Sequence, residues 1–205
     1  MDDMVGFDIG EEFAENMFVY QKALVSIFDG DVSTLRGLLD ENPQLAGPII
    51  SNWECKKRSI KTLLHAAAHA NKEEIVELLV SYGADVNAVV DFTLDTPLHY
   101  AADVSGIEAV TKLIALGADV NMPDKFGNTP FVHVTHLGRE KLFYALMQGN
   151  PTLSTLRRLE RDIEKKSENF LWNKDRAARM LEVVRARIQE LFTEPSVPTE
   201  TIPEI

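Results

Sequence analysis

The stretch Thr62–Asn87, TLLHAAAHANKEEIVELLVSYGADVN, occurs a second time at Thr96–Asn121 as TPLHYAADVSGIEAVTKLIALGADVN. His65 aligns with His99, and the aligned positions all lie 34 residues apart, so the register holds without an internal gap. A fixed spacing of this size is typical of stacked supersecondary units, each of which buries its apolar face against its neighbours.

Two weaker copies flank this pair. Thr129–Asn150 repeats the Thr-Pro start 33 residues after Thr96, and Gln21–Pro43 keeps the helical pattern without the Thr-x-x-His opening. The sequence therefore predicts a solenoid domain over residues 1–151 with about four helix-turn-helix repeats. Their bounds are about 21–61, 62–95, 96–128 and 129–151.

The residues of the opening motif each have a local physical role. Thr96 is a good residue to cap a helix, and Pro97 falls at the first helical position, where its missing N–H costs nothing. Gly83 and Gly117 follow amphipathic helices at the place where a left-handed residue ends them. The pattern therefore predicts two helices in each repeat.

The opening at Thr96–Ala101 resembles that of the ankyrin repeat family, and Thr62–Ala67 matches it at all positions but the proline. The resemblance implies an all-α solenoid in which His65 and His99 hydrogen-bond within and between repeats, so we interpret both as structural residues. It also implies a protein partner, bound along the concave groove and the hairpin fingertips.

The residues outside the repeats predict further helices. Glu11–Phe28 has apolar residues at helical spacing and predicts an N-terminal helical extension. Leu153–Ser167 and Trp172–Phe192 are amphipathic but lack the repeat markers, and they predict a helical cap at 152–192. The alternative is that 152–192 is a separate domain, which limited proteolysis would distinguish.

Two segments of the sequence do not fit the repeat pattern. Residues 44–61 are an insertion with Trp53, Cys55 and a Lys-Lys-Arg run, which is either a functional loop or a segment whose tryptophan folds back on the first repeat. The tail 193–205 has three prolines and no periodicity, so we expect it to be disordered. Its alternative role is a linear interaction or export signal.

Composition excludes several classes of function. The net charge of -11 opposes binding to nucleic acid. No apolar stretch approaches the roughly 18 residues that span a membrane, and the acidic N-terminus does not resemble a secretory signal. The single cysteine cannot form an internal disulfide. We therefore expect a cytoplasmic monomer without nucleic-acid or membrane partners.

The sequence offers little support for catalysis or metal binding. It contains no Gly-rich phosphate loop, no Gly-x-Ser-x-Gly elbow and no HExxH motif. His133 and His136 share one predicted helix, but His69 is two repeats away, too far to join them, because packed helices lie about 8–10 Å apart. We therefore expect no enzyme activity, no metal and no cofactor. The alternative is a metal-binding or enzymatic protein that uses His133, His136 and Cys55.

The predicted binding surface lies on the non-core positions of the first helices and on the hairpins. Ala88–Asp95 is apolar and has no glycine, whereas Met122–Asn128 keeps an Asp-x-x-Gly turn. The alternative is that neighbouring loops bury its apolar side chains. The predicted protein-binding residues are Val89, Val90, Phe92, Tyr100, Asp103, Val104, Phe126, His133, His136 and Leu137.

These observations together predict a non-enzymatic scaffold for protein–protein interaction. An alternative comes from the overall layout, which resembles that of small ankyrin-repeat effectors that intracellular bacteria secrete.

Overall fold

The computed structural model describes residues 9–47, 62–90, 92–104, 106–168 and 173–193, in which all regular structure is helical. A 3₁₀ turn at Pro43–Ala46 follows the first pair of α-helices. The predicted all-α repeat solenoid is confirmed. The ten α-helices in these residues are α1 (Ile9–Asp29), α2 (Val32–Glu41), α3 (Leu63–His69), α4 (Glu73–Ser81), α5 (Pro97–Val104), α6 (Ile107–Ala115), α7 (Pro130–His136), α8 (Glu140–Met147), α9 (Leu153–Ser167) and α10 (Lys174–Thr193).

Some sequence predictions lie outside the described residues. They concern Trp53 and Cys55 in the 44–61 insertion, Trp172, and the tail after Thr193.

The helices form two layers. The odd-numbered helices α1, α3, α5, α7 and α9 each pack on the next to form the inner layer, and the even-numbered helices do the same in the outer layer. Helices α9 and α10 therefore occupy the places of a fifth repeat, although their sequence lacks the repeat markers. The division into a solenoid and a cap domain stays a prediction.

The core lies between the two layers and is continuous from α1 to α10. It runs from Ala23 through the leucines of the repeats to Val184. In the fourth repeat, Phe131 of α7 and Phe143 of α8 are fully buried and meet edge to face, with ring centres 6.1 Å apart. Since each repeat is too small to bury its apolar face alone, this shared core depends on the stacking of neighbours.

Each Thr-x-x-His motif caps its own helix. The imidazole Nδ1 of His99 lies 2.9 Å from Thr96 Oγ1 and accepts from the Thr96 backbone N–H at 3.1 Å. His65 Nδ1 has the same two contacts with Thr62, at 2.9 and 3.4 Å. Because Nδ1 accepts a backbone N–H, the ring proton of each neutral histidine is on Nε2.

The second ring nitrogen of each histidine joins its repeat to the next one. Nε2 of His65 donates to the carbonyl of Asp95 at 3.1 Å, and Nε2 of His99 donates to the carbonyl of Asn128 at 3.1 Å. Both carbonyls end a hairpin that leads into the following repeat. The histidines therefore have the structural role that the resemblance implies.

Two asparagines make a second connection between successive units. Asn87 Oδ1 accepts from the backbone N–H of Asp119 at 2.9 Å, and Asn121 Oδ1 accepts from the backbone N–H of Thr152 at 2.7 Å. Asn87 and Asn121 are 34 residues apart in sequence. Thr152 is the N-cap of α9. The bond from Asn121 therefore joins the third repeat to the C-terminal helices in the same way as the bond from Asn87 joins two successive repeats.

Charged side chains attach the C-terminal helices to the fourth repeat. Glu140 of α8 accepts two hydrogen bonds from Arg179 of α10, at 2.8 and 2.9 Å, and a third from Tyr144 at 3.1 Å. The Arg179 hydrogen bonds are the main reason that the pKa of Glu140 falls to about 2. The carboxylate therefore stays ionised under all ordinary conditions.

The burial of His99 makes folding sensitive to pH. Burial disfavours the charged imidazolium and lowers the pKa of His99. The unfolded chain, in which a histidine has a pKa of about 6.5, therefore binds its proton first as the pH falls. The stability that neutral His99 contributes is complete above that pH and is lost below it. The groups around its ring are Asn128, His133, Asp95 and Asp124.

We predict that the urea midpoint of unfolding falls as the pH is lowered from about 7 to about 5.5. His99→Gln should lose part of this pH dependence, because its side chain cannot titrate. The same variant should lose about 1–3 kcal/mol of unfolding free energy, since it breaks buried hydrogen bonds.

Leu98→Ala is the matched control, because it also destabilises the chain, through a core cavity, but keeps the imidazole. It should keep the pH dependence of the wild type. Equal pH dependence in His99→Gln and the wild type would contradict the role assigned to His99.

Candidate protein-binding surface

The two hairpins that precede α5 and α7 have different turns. In the second hairpin, Asp124 Oδ1 accepts from the backbone N–H groups of Phe126 and Asn128, at 2.8 and 2.7 Å, and Gly127 has a φ of 78°. The first hairpin has Leu94 at the place of Gly127, with a φ of 56°. The turn glycine that the sequence lacks is therefore replaced by a left-handed leucine.

The Leu94 conformation is strained. A left-handed backbone places Cβ close to the following carbonyl, at a cost of roughly 1–2 kcal/mol for a residue other than glycine. Two hydrogen bonds hold it there: Val90 N–H to the Asp95 carbonyl at 3.0 Å, and Leu94 N–H to the Val90 carbonyl at 2.8 Å. Such strain is found preferentially at functional sites.

The hairpins lie side by side and carry an exposed apolar patch. Lys125 N–H donates to the Thr93 carbonyl at 2.8 Å, which joins the two turns. Phe126 is 71% exposed and Phe92 is 55% exposed, and two aliphatic side chains beside them are more than a third exposed. We call Val89, Phe92, Leu94 and Phe126 the fingertip patch.

The structure corrects one predicted member of this surface. Val90 is 1% exposed and is therefore no surface residue. Its backbone N–H and carbonyl close the hairpin, and its side chain lies on the buried side, opposite to that of exposed Val89. Alternation along an extended segment places neighbouring side chains on opposite faces.

The left-handed residues after the inner helices show which positions correspond. Gly30, Asn71 and Gly138 each have a positive φ at the turn after α1, α3 and α7. Counting back from them aligns α1 with the repeats. The groove columns are then Val25, Ala66, Tyr100 and His133; Phe28, His69, Asp103 and His136; and Asp29, Ala70, Val104 and Leu137.

The contribution of α1 to this groove was not predicted from the sequence. Val25 and Phe28 are both more than half exposed. Helix α1 carries no Thr-x-x-His opening, so its register could not be read from the motif. The positive φ of Gly30 could have been anticipated from the Asp-Gly-Asp sequence that follows Phe28.

The N-terminal half of the groove contains an apolar cavity of about 290 Å³ between α1, α3 and α5. The ring of Tyr100 forms one wall, with its centre 5.3 Å from the ring of His65 and 6.2 Å from that of His69, both nearly edge-on. The lining residues are Tyr20, Leu24, Phe28, His65, Ala66, His69 and Tyr100.

The C-terminal half of the groove is polar. His133 Nδ1 lies 2.6 Å from Asp103 Oδ1, an ion pair between α7 and α5 when the imidazole is protonated. Burial lowers the pKa of His136, and the positive charge of Lys166 acts in the same direction. Leu137 is exposed at the end of α7. The predicted column residues of α5 and α7 therefore do lie together.

Three possible metal ligands lie close together beside the C-terminal half of the groove. One ligand atom each of Asp95, His99 and His133 lie within 4.8 Å of one another. However, both ring nitrogens of His99 already have partners, at Thr96 and at the carbonyl of Asn128. A cation would therefore have to break a bond on which the stacking of repeats depends. This group differs from the predicted alternative, which combined His133 with His136 and Cys55.

The comparisons with known proteins bear on the repeats. Residues 24–124 match the sequence model of ankyrin repeats, in three copies. The matched stretch runs from α1 to the turn of the second hairpin. No curated protein matches the chain. Among the described residues, the helices are all too short or too polar to cross a membrane.

We predict that Leu94→Gly keeps or raises stability by up to about 1 kcal/mol. The variant removes the left-handed strain, while the added backbone entropy of glycine offsets about 0.5–1 kcal/mol of that gain. Urea unfolding measures the difference.

Val89→Gly is the matched control, since it also removes an exposed aliphatic side chain from the same loop but at a residue with ordinary φ. It should lose stability. If Leu94→Gly loses as much unfolding free energy as Val89→Gly, the backbone at Leu94 is not strained.

Proposed function

The chain is an ankyrin-repeat protein, and from this premise we propose that it is a non-enzymatic scaffold that binds a partner protein through its concave groove and fingertip patch. Ankyrin repeats are generally modules of protein–protein interaction. The location in the cytoplasm and the alternative of a secreted effector stay predictions.

The observation that carries this proposal is the fingertip patch. Its apolar side chains are exposed on two hairpins that are hydrogen-bonded to each other and to the stack. Exposed aromatic residues on a rigid support are typical of interface hot spots, because little conformational entropy is lost when a partner covers them.

The remaining features of the patch support the same function. Lys125 Nζ lies 5.0 Å from the centre of the Phe126 ring, so a cation already covers one side of this aromatic residue. Leu94 keeps its side chain in a strained turn, where glycine would fold without strain. Folding alone therefore does not account for the residues at the fingertips.

We predict that the double variant Phe92→Ser, Phe126→Ser weakens partner binding at least about tenfold, because it removes both aromatic contacts of the patch. The partner is first captured by affinity purification and identified by mass spectrometry. Its Kd for the wild type and the variant is then measured by calorimetry with purified proteins.

Phe192→Ser is the matched control, because Phe192 is 61% exposed and belongs to α10, where its ring lies under Arg157 of α9. It should bind as the wild type does. Melting temperatures of all variants should stay close to that of the wild type, since the three side chains are exposed. A partner that binds the double variant with unchanged Kd would place the interface elsewhere.

A further inference from the structure

We propose that residues 194–205, which follow α10, bind within the same molecule to a basic face of α9. This face is formed by Arg157, Arg161 and Lys165, and we call it the basic stripe. The inference goes beyond the proposed function and does not depend on it, because none of these three residues belongs to the groove columns or to the fingertip patch.

The three cations of the basic stripe form a row along α9. Their spacing of four residues places them on one side of the helix, with successive residues about 6 Å apart along its axis. All three are exposed, and none of them has an ion pair or a side-chain hydrogen bond among the described residues. No other helix in this part of the chain carries more than one exposed lysine or arginine without such a partner.

The acidic side chains next to the basic stripe are already paired with other cations. Glu160 and Glu164 accept hydrogen bonds from Arg185 of α10, at 2.7 and 2.5 Å. Asp162 lies 3.9 Å from Arg158, on the side of α9 that faces the fourth repeat. These contacts hold the three carboxylates away from the basic stripe.

The positive charge is least compensated at the start of the basic stripe. Glu168 and Glu182 are exposed and have no ion pair within the described residues, but both lie toward Lys165. Glu168 follows Lys165 on α9, and Glu182 belongs to α10, which runs antiparallel to α9. An anionic segment therefore gains most from Arg157 and Arg161.

The end of α10 places residues 194–205 beside this part of the basic stripe. The ring of Phe192 has its centre 5.7 Å from the guanidinium carbon of Arg157, and α10 ends one residue later, at Thr193. Glu194 is the next residue. Twelve residues span up to about 40 Å when extended, whereas the basic stripe is about 12 Å long, so the segment reaches all of it.

The charge of the segment is opposite to that of the basic stripe. Residues 194–205 contain three glutamates and no lysine, arginine or histidine. The net charge of the whole chain, -11, repels a free acidic partner, whereas a tethered segment meets the stripe at an effective concentration on the order of millimolar. Contacts that are individually weak at a surface are therefore populated. The three prolines of the segment also lower the entropy that binding costs.

Paramagnetic broadening of amide NMR signals tests this contact in the full-length chain. A nitroxide is attached to Thr199→Cys in a chain that also carries Cys55→Ser. The matched control adds Glu194→Gln, Glu200→Gln and Glu204→Gln, and therefore measures the broadening that the tether alone causes. We expect the broadening around the basic stripe to be at least twice as large with the glutamates as without them. In about 1 M NaCl, where the Debye length is about 3 Å, the two chains should become equal. Equal broadening at low salt would overturn the inference.

An exchange of charges shows whether the basic stripe is the binding site. The variant Arg157→Glu, Arg161→Glu should lose the excess broadening, and replacement of the three glutamates by lysine in that variant should restore it. The control is Lys22→Glu, Lys141→Glu, which changes the net charge equally at exposed lysines of α1 and α8 and should keep the excess. Excess broadening that survives the reversal, or that the exchange does not restore, would overturn the inference.

A second measurement needs neither a spin label nor an exchange of cysteine. The side-chain Nε–H signals of Arg157 and Arg161 should shift between the wild type and the chain with three glutamines. The signal of Arg139, whose side chain donates to the Ala102 carbonyl within the repeats, should not shift. Unchanged signals of Arg157 and Arg161 would overturn the inference even if the spin-labelled chain failed to fold.

Other binding modes of the segment give different results. If a spin-labelled chain broadens the basic stripe of a second, isotope-labelled chain in a mixture, the segment binds between copies and the inference is overturned. Excess broadening at the fingertip patch instead of α9 would overturn it as well. Since none of these variants changes the groove columns or the fingertip patch, the proposed function is tested separately, by partner binding to Phe92→Ser, Phe126→Ser.

Discussion

The stacking of this chain depends on one recurring hydrogen bond, from the imidazole Nε2 of one repeat to the hairpin carbonyl that leads into the next. His65 makes it to Asp95 and His99 makes it to Asn128, both at 3.1 Å. Because Nδ1 of the same ring caps its own helix, the imidazole fixes the position of the next repeat relative to that helix. Hydrophobic burial supplies most of the stability, but it is not directional, whereas this buried bond permits a single register. The columns of the groove and the contact between hairpins follow from that register.

The end of the stack shows what replaces this bond. Val132 stands where a fourth repeat would have its histidine, and Gly149-Asn150-Pro151 leads straight into α9 without a hairpin, so there is no carbonyl for a histidine to reach. The last hairpin then has an uncovered edge. Arg158 of α9 occupies it by donating to the carbonyl of Gly127 and to Asn128 Oδ1. Lys166 donates to Thr135 Oγ1 at 2.9 Å. The C-terminal helices are therefore joined to the repeats by polar contacts of their own, and they protect the edge that an ankyrin stack would otherwise expose.

The sequence predicted the features that depend on local chemistry. The fold class, the two helices per repeat and the capping role of Thr62 and Thr96 follow from a spaced motif whose residues act within one turn of chain. The features it did not predict depend on register across repeats. Val90 was expected at the surface together with the other apolar residues of its hairpin, and only the pairing of Val90 with Asp95 shows which side chains are turned inward. The contribution of α1 to the groove was missed for the same reason, since a helix without the motif has no register in sequence. The hydrogen bond from Asn121 to the start of α9 was not predicted either, because Gly149-Asn150-Pro151 replaces the hairpin that follows the other repeats.

The repeats also provide an internal comparison that separates folding from recognition. Positions that hold the stack have the same residue in successive copies: Thr62 and Thr96, His65 and His99, Asn87 and Asn121. Positions of the groove columns differ: Ala66, Tyr100 and His133 occupy one structural place, yet one is small, one aromatic and one titratable. The side chains at these places differ because each meets a different neighbour within the solenoid. Tyr100 packs edge-on against His65 and His69, whereas His133 pairs with Asp103. The gradient from an apolar cavity at α1 to a polar end at α7 therefore follows from these contacts between repeats, which vary along the groove while the bonds that hold the stack stay the same.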